Sequence, residues 1–449
     1  MRIDIKNQKL LIKSLNKILN RDIIQKIKGI CIDSRKVKEN DIFVCLQGER
    51  NHGNDFINND LLNKVSFIIS DKEYKHNKVY QIEDSKAFLA NLAIDFRSNL
   101  DVKFIGITGT NGKTSTKELL VHFLKTKFNV SYSRKSYNST VGLPLSILEC
   151  DEKAQFCVLE MGASKRGEID YLCSIANPNF GLVTNISKAH LEGFLNFQDL
   201  INTKMSLYNF IDSHSGTYFL NKDDDNIVLS GSPNCNVVSF SMIDTESDYY
   251  ADITNIDRGN IYINNHLFEI PYLTEIFVSN FLSSYSIAST VGIPNSDIKK
   301  ALQDFSIPDG RGNIINLPAI KIINDTYNAN LESMKKGISQ LERFKNKGSK
   351  IKLILGDMLE LSNESMNIHS ELGRYIDSLN FIDSIYVVGD MMEHTLDAID
   401  NPSIFKKYFS SNQTLIKYLK INTINDGVIY LKGSRGMELE QIIDYLNVK

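Results

Sequence analysis

The sequence predicts an α/β protein of three domains, and three observations carry that expectation. At 449 residues the chain exceeds what one hydrophobic core ordinarily organises. From about residue 101, short β-rich runs alternate with helical periods, the pattern of a mostly parallel sheet covered by helices. That pattern pauses at a glycine-containing loop, PDGRGN (308–313), and then restarts. The divisions are therefore expected at 1–83, 84–310 and 311–449.

In the first division GICIDSR, DIFVCLQG, FIISD and VYQIED read as short strands between loops. A helical period at 84–99, DSKAFLANLAIDFRSN, leads into the second. There VKFIGIT (102–108) is a β-rich run, and STKELLVHFLKTKF places Leu119, Leu120, Phe123 and Leu124 at helical spacing. FCVLE (156–160), GLVTN (181–185) and GTYFLN (216–221) follow as buried strands. Beyond the loop come AIKIIND, a helix from about 331, IKLILGD, a helix near 365–379, SIYVVGD, and VIYLKGSR with a terminal helix. That is a smaller, Rossmann-like α/β unit.

Hydrophobic residues make up 42% and charged residues 23%, the composition of a soluble globular protein. A net charge of −3 with scattered basic residues gives no support to a nucleic-acid or membrane-surface partner. The N-terminus has no continuous apolar stretch of signal-peptide type, and no apolar run reaches transmembrane length. Six cysteines without a CxxC pair read as reduced core thiols. The expectation is a cytoplasmic monomer without membrane insertion.

Between the strand VKFIGIT and its helix lies Thr108-Gly109-Thr110-Asn111-Gly112-Lys113-Thr114-Ser115. Glycines let backbone N–H groups approach phosphate oxygens, and the helix N-terminus adds partial positive charge. Lys113 can neutralise β/γ-phosphates, and Thr114 can offer its hydroxyl to Mg²⁺. An ordinary glycine turn is the alternative, although a turn alone does not require Lys-Thr at the helix start. The usual P-loop pattern, GxxxxGK[ST], has its first glycine where this chain has Ile107, inside the strand, so this loop is shorter.

Two neighbouring strand ends carry polar groups. FCVLE ends in Glu160, and GLVTN ends in Asn185 with His190 shortly after. A carboxylate and an imidazole near a triphosphate can hold Mg²⁺. Each alone also reads as a helix cap or a surface histidine, and Lys204 in INTKMSL reads alone as an ordinary helix lysine.

The compact TGTNGKT loop resembles that of the Mur ligases and the related folylpolyglutamate synthetases. VLEMGASKRGEI (158–169) and VTNISKAHLEGF (183–194) resemble Mur ligase segments in order and spacing. So do DSRKVKENDIFVCLQGERNHGNDFI (33–57), INDTYNANLESMKKGISQL (323–341), LILGDMLELSNESMNIH (353–369) and LKGSRGMELEQII (431–443). The resemblance spans essentially the whole chain. It implies ATP and Mg²⁺, and an acyl-phosphate ligation that adds D-alanyl-D-alanine to UDP-N-acetylmuramoyl-tripeptide.

The resemblance also implies roles. It gives the metal site to Thr114, Glu160, His190 and a carbamylated Lys204, with Lys113, Glu160, His190 and Lys204 as the catalytic set. It gives the nucleotide to Thr108 through Ser115, Asn280 and Arg311, with Asp325 at the ribose and Tyr327 and Asn328 near the base. It makes residues 1–83 a uridine-nucleotide-binding domain. Substrate contacts are expected from Ser34, Arg35, Gly48, Asn138, Ser164, Lys432, Ser434 and Arg435.

Bottom-up, Asn328 and Asn330 also read as turn and capping residues. Lys432 and Arg435 suit an anionic group such as a peptide carboxylate, or else a solvated loop. Asp357 and Glu360 sit at a similar edge and are candidates to orient an amine or a lysine. The chain departs from the family pattern at Leu331, Asn324 and Ser139. Two rival readings stand beside this one. They are another ligase of the same superfamily with a different amino-acid substrate, and a nucleotide-binding regulator without turnover.

Overall fold

The computed structural model describes residues 1–134, 137–188, 191–227, 229, 231–345 and 348–447. The fold is α/β with three domains, each built on its own sheet. The first sheet comprises β1 (Arg2–Asp4), β2 (Gly29–Cys31), β3 (Asp41–Val44), β4 (Phe67–Ser70) and β5 (Val79–Gln81), in that spatial order. Only the β1–β2 pairing is antiparallel.

The strand-and-loop reading of this domain leaves out a helix, Gln8–Leu19. Its signals are local. Asn7 caps its first turn by accepting the Leu10 N–H, Leu11, Ser14 and Leu15 form the buried stripe, and Asn20 ends it in the left-handed conformation.

Among the described residues the central sheet has nine strands: β6 (Lys103–Thr108), β7 (Val130–Tyr132), β8 (Phe156–Glu160), β9 (Phe180–Val183), β10 (Thr217–Asn221), β11 (Asn236–Ser241), β12 (Tyr249–Asp252), β13 (Asn260–Ile263) and β14 (His266–Glu269). Their order is β14-β13-β12-β11-β10-β9-β6-β8-β7, parallel except for the β12–β13–β14 meander. β6 therefore lies between β8 and β9, and the chain order switches on either side of it. The register sets Ile107 beside Glu160 and Thr108 beside Val183, so three strand ends emerge together. Ligands in open α/β sheets sit at such a switch. Ile105, Leu120, Phe123 and Leu282 pack one face, and Leu143, Leu159, Leu172 and Leu207 belong to the core on the other.

The third sheet comprises β15 (Asn313–Asn316), β16 (Ile320–Asp325), β17 (Ile351–Gly356), β18 (Ser384–Val388), β19 (Phe405–Phe409) and β20 (Gly427–Lys432). Its order is β15-β16-β20-β17-β18-β19, parallel except for β15. Asp325 and Lys432 are register partners at the carboxyl edge of β16 and β20. All six cysteines are buried and unbridged. Among the described residues no helix is long and apolar enough to cross a membrane.

Candidate active site

A cleft of about 1310 Å³ opens where the carboxyl ends of β6 and β8 face those of β16 and β20. Its floor is the phosphate-type loop. Gly112 has a φ of +81°, and a Cβ there would strike the Asn280 amide, so glycine is required. The helix Lys113–Leu124 that follows has no side-chain N-cap bond. Its first-turn N–H groups are therefore left to whatever occupies the cleft. The loop is shaped from β9: Asn185 accepts the Asn111 N–H at its side-chain oxygen (2.9 Å) and the Thr110 N–H at its carbonyl (2.8 Å).

Glu160 is buried at the end of β8 and is held on both oxygens. The Thr114 hydroxyl donates to Oε2 at 2.7 Å, and Asn138 Nδ2 donates to Oε1 at 2.8 Å. Burial alone would raise its carboxyl. The charge of Lys113, the Thr114 hydroxyl, Lys117 and Asn138 together outweigh that and hold it below the usual carboxylate range.

Lys113 Nζ turns back onto the loop, donating to the Gly109 carbonyl at 2.8 Å and to the Thr110 carbonyl at 2.9 Å. Loss of hydration lowers its ammonium, Arg311 lowers it further, and Glu160 opposes both. Lys204, buried on the helix Phe197–Ser213, donates to the same Gly109 carbonyl at 3.1 Å. Burial first, and Lys113 second, bring its ammonium down to about 7. The ordinary surface lysine is thus replaced by a buried amine on the cleft wall.

The third domain closes the far side. Arg311 donates to the Thr114 hydroxyl at 2.9 Å, and its guanidinium lies 3.8 Å from the Tyr327 ring centre. Arg311 Nε is buried and finds no acceptor among the described residues. Asn330 Nδ2 donates to Asn111 Oδ1 at 2.7 Å, tying the two loops directly. Asn330 also caps the helix Leu331–Ser339, as its capping reading expects.

Of the expected residues, the cleft gathers Thr110 through Ser115, Asn138, Glu160, Ser164, Lys204, Asn280, Arg311, Asp325, Tyr327, Asn328 and Lys432. Others fall elsewhere. Thr108 is sealed in the sheet, its hydroxyl donating to the Met161 carbonyl, and the Gly109 carbonyl accepts from Lys113 and Lys204. Lys432 is buried and donates to Asp325 at 2.6 Å and to the Asn328 carbonyl at 3.1 Å, which corrects the solvated-loop reading. Arg435 lines a smaller neighbouring recess and pairs with Glu440 at 2.8 Å.

Ser434 is buried, and its hydroxyl accepts the Leu359 N–H. Asp357 does not reach the cleft. Its carboxylate accepts the Met392 N–H at 2.9 Å, and burial raises it. Glu360 lines both recesses, with a φ of +63°. Ser34, Arg35 and Gly48 lie in the first domain, outside the cleft, with Arg35 held on Asp33. His190 lies outside the described residues.

The sequence reading missed Lys117. It is fully buried, donates to the Ser133 carbonyl at 2.7 Å and adds positive charge behind Glu160. Its signal was available: it stands one helical turn beyond Lys113 on the same helix face.

A phosphate-type loop facing a second α/β domain across one cleft is the arrangement of a nucleotide-using enzyme. The Mur ligase middle domain matches residues 107–288, the Mur ligase glutamate ligase domain 310–435, and the Mur ligase family catalytic domain 26–97. The chain is 32% identical to a UDP-N-acetylmuramoyl-tripeptide--D-alanyl-D-alanine ligase of Rickettsia prowazekii, over 92% of this chain and 94% of that one. It is 30% identical to the Bacillus subtilis ligase of the same name, over 93% and 92%. Among solved structures, MurF from Acinetobacter baumannii superposes with a TM-score of 0.87 at 25% identity, covering 100% of both chains. MurF from Thermotoga maritima in complex with ADP gives 0.80 at 27%, covering 95% of this chain and 98% of that one. The chain belongs to the Mur ligase family.

Proposed function

We propose that the chain joins D-alanyl-D-alanine to UDP-N-acetylmuramoyl-tripeptide at the expense of ATP, in the cytoplasm and as a monomer. One observation carries this reading. The loop Gly112–Ser115 opposes the Asp325–Asn330 loop across a single cleft, in a chain whose full-length relatives bear that activity in their names. The working domain boundaries are 1–83, 84–310 and 311–449.

A carboxylate resists amide formation because its leaving group would be oxide. Phosphorylation of the tripeptide carboxylate by ATP removes that barrier. The dipeptide amine then attacks the acyl carbon, the C–N bond forms, the C–O bond to phosphate breaks, and the amine proton is lost. In this proposal Gly112, Lys113, Thr114 and Ser115 receive the phosphates, and Lys113 leaves its carbonyl acceptors for them. Arg311 Nε, buried without an acceptor, is suited to the developing anionic charge. Arg311 and Tyr327 stack where the nucleotide enters. The closed contacts between Asn111 and Asn330 exclude water from the acyl phosphate.

The residues present also fit Mg²⁺. Thr114 and Glu160 supply hard oxygens, and Lys204 becomes an oxygen donor if carbamylated. Its amine, brought down to about 7, is substantially neutral near pH 7 and can capture CO₂ with loss of a proton. The resulting anion would replace repulsion from Lys113 by attraction. When bound, the metal neutralises charge on the transferring phosphoryl group. His190 belongs to the same expected set.

The test is phosphate release by purified protein. Turnover should require ATP, UDP-tripeptide and D-alanyl-D-alanine together. Equal turnover with glutamate or diaminopimelate in place of the dipeptide would favour another ligase of the family. Nucleotide binding without any turnover would favour a regulator.

A further inference from the structure

Ser133, Tyr137 and Asn138, which lie between β7 and the helix Gly142–Leu148, bond in two directions. Toward the site, Ser133 Oγ accepts the Glu160 N–H at 3.0 Å, and its carbonyl accepts Lys117 Nζ at 2.7 Å. Asn138 holds Glu160 Oε1 at 2.8 Å, and its carbonyl accepts the Gly162 N–H at 2.8 Å. Tyr137, immediately before Asn138, points the other way. Its hydroxyl accepts the Arg2 N–H at 3.1 Å and donates to the Arg2 carbonyl at 3.1 Å.

Arg2 lies on β1, the edge of the first sheet. An edge strand leaves N–H and C=O groups open, and here one hydroxyl from another domain closes both. Arg2 is in turn the register partner of Cys31 on β2, which runs into Asp33, Ser34 and Arg35. Around Tyr137 there is little slack. A Cβ on Gly142 would come within 2.6 Å of the Tyr137 Cα, and the ring packs against the buried core. A continuous bonded path therefore runs from the Ser34–Arg35 turn through β2, Arg2, Tyr137 and Asn138 to Glu160 and Thr114.

We propose that Tyr137 is a positioning residue that couples occupancy of the first domain to the setting of Glu160 at the phosphate loop. The proposal rests on the reading of residues 1–83 as the uridine-nucleotide domain. Tyr137 acts only through Arg2 and Asn138. Its effect is a coupling between two ligands, and such coupling is reciprocal.

The experiment uses the full chain and calorimetry. A non-hydrolysable ATP analogue with Mg²⁺ is titrated with and without saturating UDP-tripeptide. In the wild type the second ligand should tighten the first by about fivefold or more, the usual size of such coupling. In Tyr137→Phe the ratio should fall below about twofold, with each ligand alone within about twofold of wild type. Arg2→Lys weakens the Arg2 ion pairs with Asp41 and Asp4 but keeps the backbone groups that Tyr137 uses. It should retain the coupling, whereas a coupling carried by general stability of the first sheet would be lost in both variants. Full coupling in Tyr137→Phe, or equal loss in both variants, overturns the proposal. The wild type alone also decides: independent binding of both ligands removes the coupling but leaves the uridine-domain reading. Failure to bind UDP-tripeptide at all removes both.

Discussion

Lys113 and Lys204 meet at one acceptor, the Gly109 carbonyl, and that convergence governs the chemistry expected of each. Lys113→Ala should abolish phosphate release while leaving the circular dichroism spectrum unchanged, because it removes a phosphate-binding cation without opening the core. Near-normal turnover would remove this loop from the nucleotide site. Lys204→Ala should be inactive, and millimolar short carboxylic acids should restore part of the activity by supplying the missing anionic oxygens. For stability the sign follows from the lowered ammonium. Between about 7 and the ordinary 10.5 the unfolded chain binds a proton at Lys204 that the folded chain does not. Stability from this group therefore rises with pH across that window, and the burial penalty is full below it. In CO₂-free buffer Lys204→Met should raise the unfolding temperature by a few degrees at pH 7 and lose that advantage toward pH 10. These residues were legible to different degrees. Gly112, Lys113 and Thr114 are written as a motif. The burial of Lys204 is not, since it depends on a helix docking beside β6. The pairing of Lys432 with Asp325 depends on strand register, which no local pattern encodes.

The elements that carry the site are strand ends. β6, β8 and β9 were legible because buried parallel strands are continuous apolar runs, and their ends gave Glu160 and Asn185. The meander β12–β13–β14 was not, since its short, half-polar strands resemble loops, whereas the helix Gln8–Leu19 carries its cap and apolar stripe in the sequence and was passed over. The loop between β16 and the helix Leu331–Ser339 does two jobs, and Asn330→Ala should disturb both. Loss of its cap should cost about 1 kcal/mol of stability. Loss of the Asn111 contact should raise the KM for ATP more than that for D-alanyl-D-alanine. Arg311→Ala should raise the KM for ATP by about tenfold or more, in line with about 1.5–3 kcal/mol for a charge-assisted bond. An unchanged KM would mean that the Tyr327 stack does not receive the nucleotide. The first domain makes a separate prediction. Ser34→Asp with Arg35→Glu should weaken UDP-tripeptide binding far more than ATP binding in calorimetry, and equal losses would count against assigning it the uridine nucleotide.

Across the whole molecule the cleft is formed only when the second and third domains meet. Its contacts, Arg311 to Thr114 and Asn330 to Asn111, join loops about 200 residues apart in sequence, at separations of 197 and 219. Three domains were readable from the restart of the strand–helix pattern near residue 313, but their mutual approach was not, because it lies in a few polar contacts. The reaction class came instead from the resemblance of those motifs to Mur ligase segments, and their gathering from two separate sheets onto one cleft is a property of the fold. The most direct test of acyl-phosphate ligation is isotopic. UDP-tripeptide labelled with ¹⁸O in its terminal carboxylate is turned over with ATP and D-alanyl-D-alanine, and the released phosphate is analysed by mass spectrometry. Breakage of the acyl C–O bond predicts one ¹⁸O atom in each phosphate and amide product carrying the remaining label; unlabelled phosphate formed alongside that product would contradict the account.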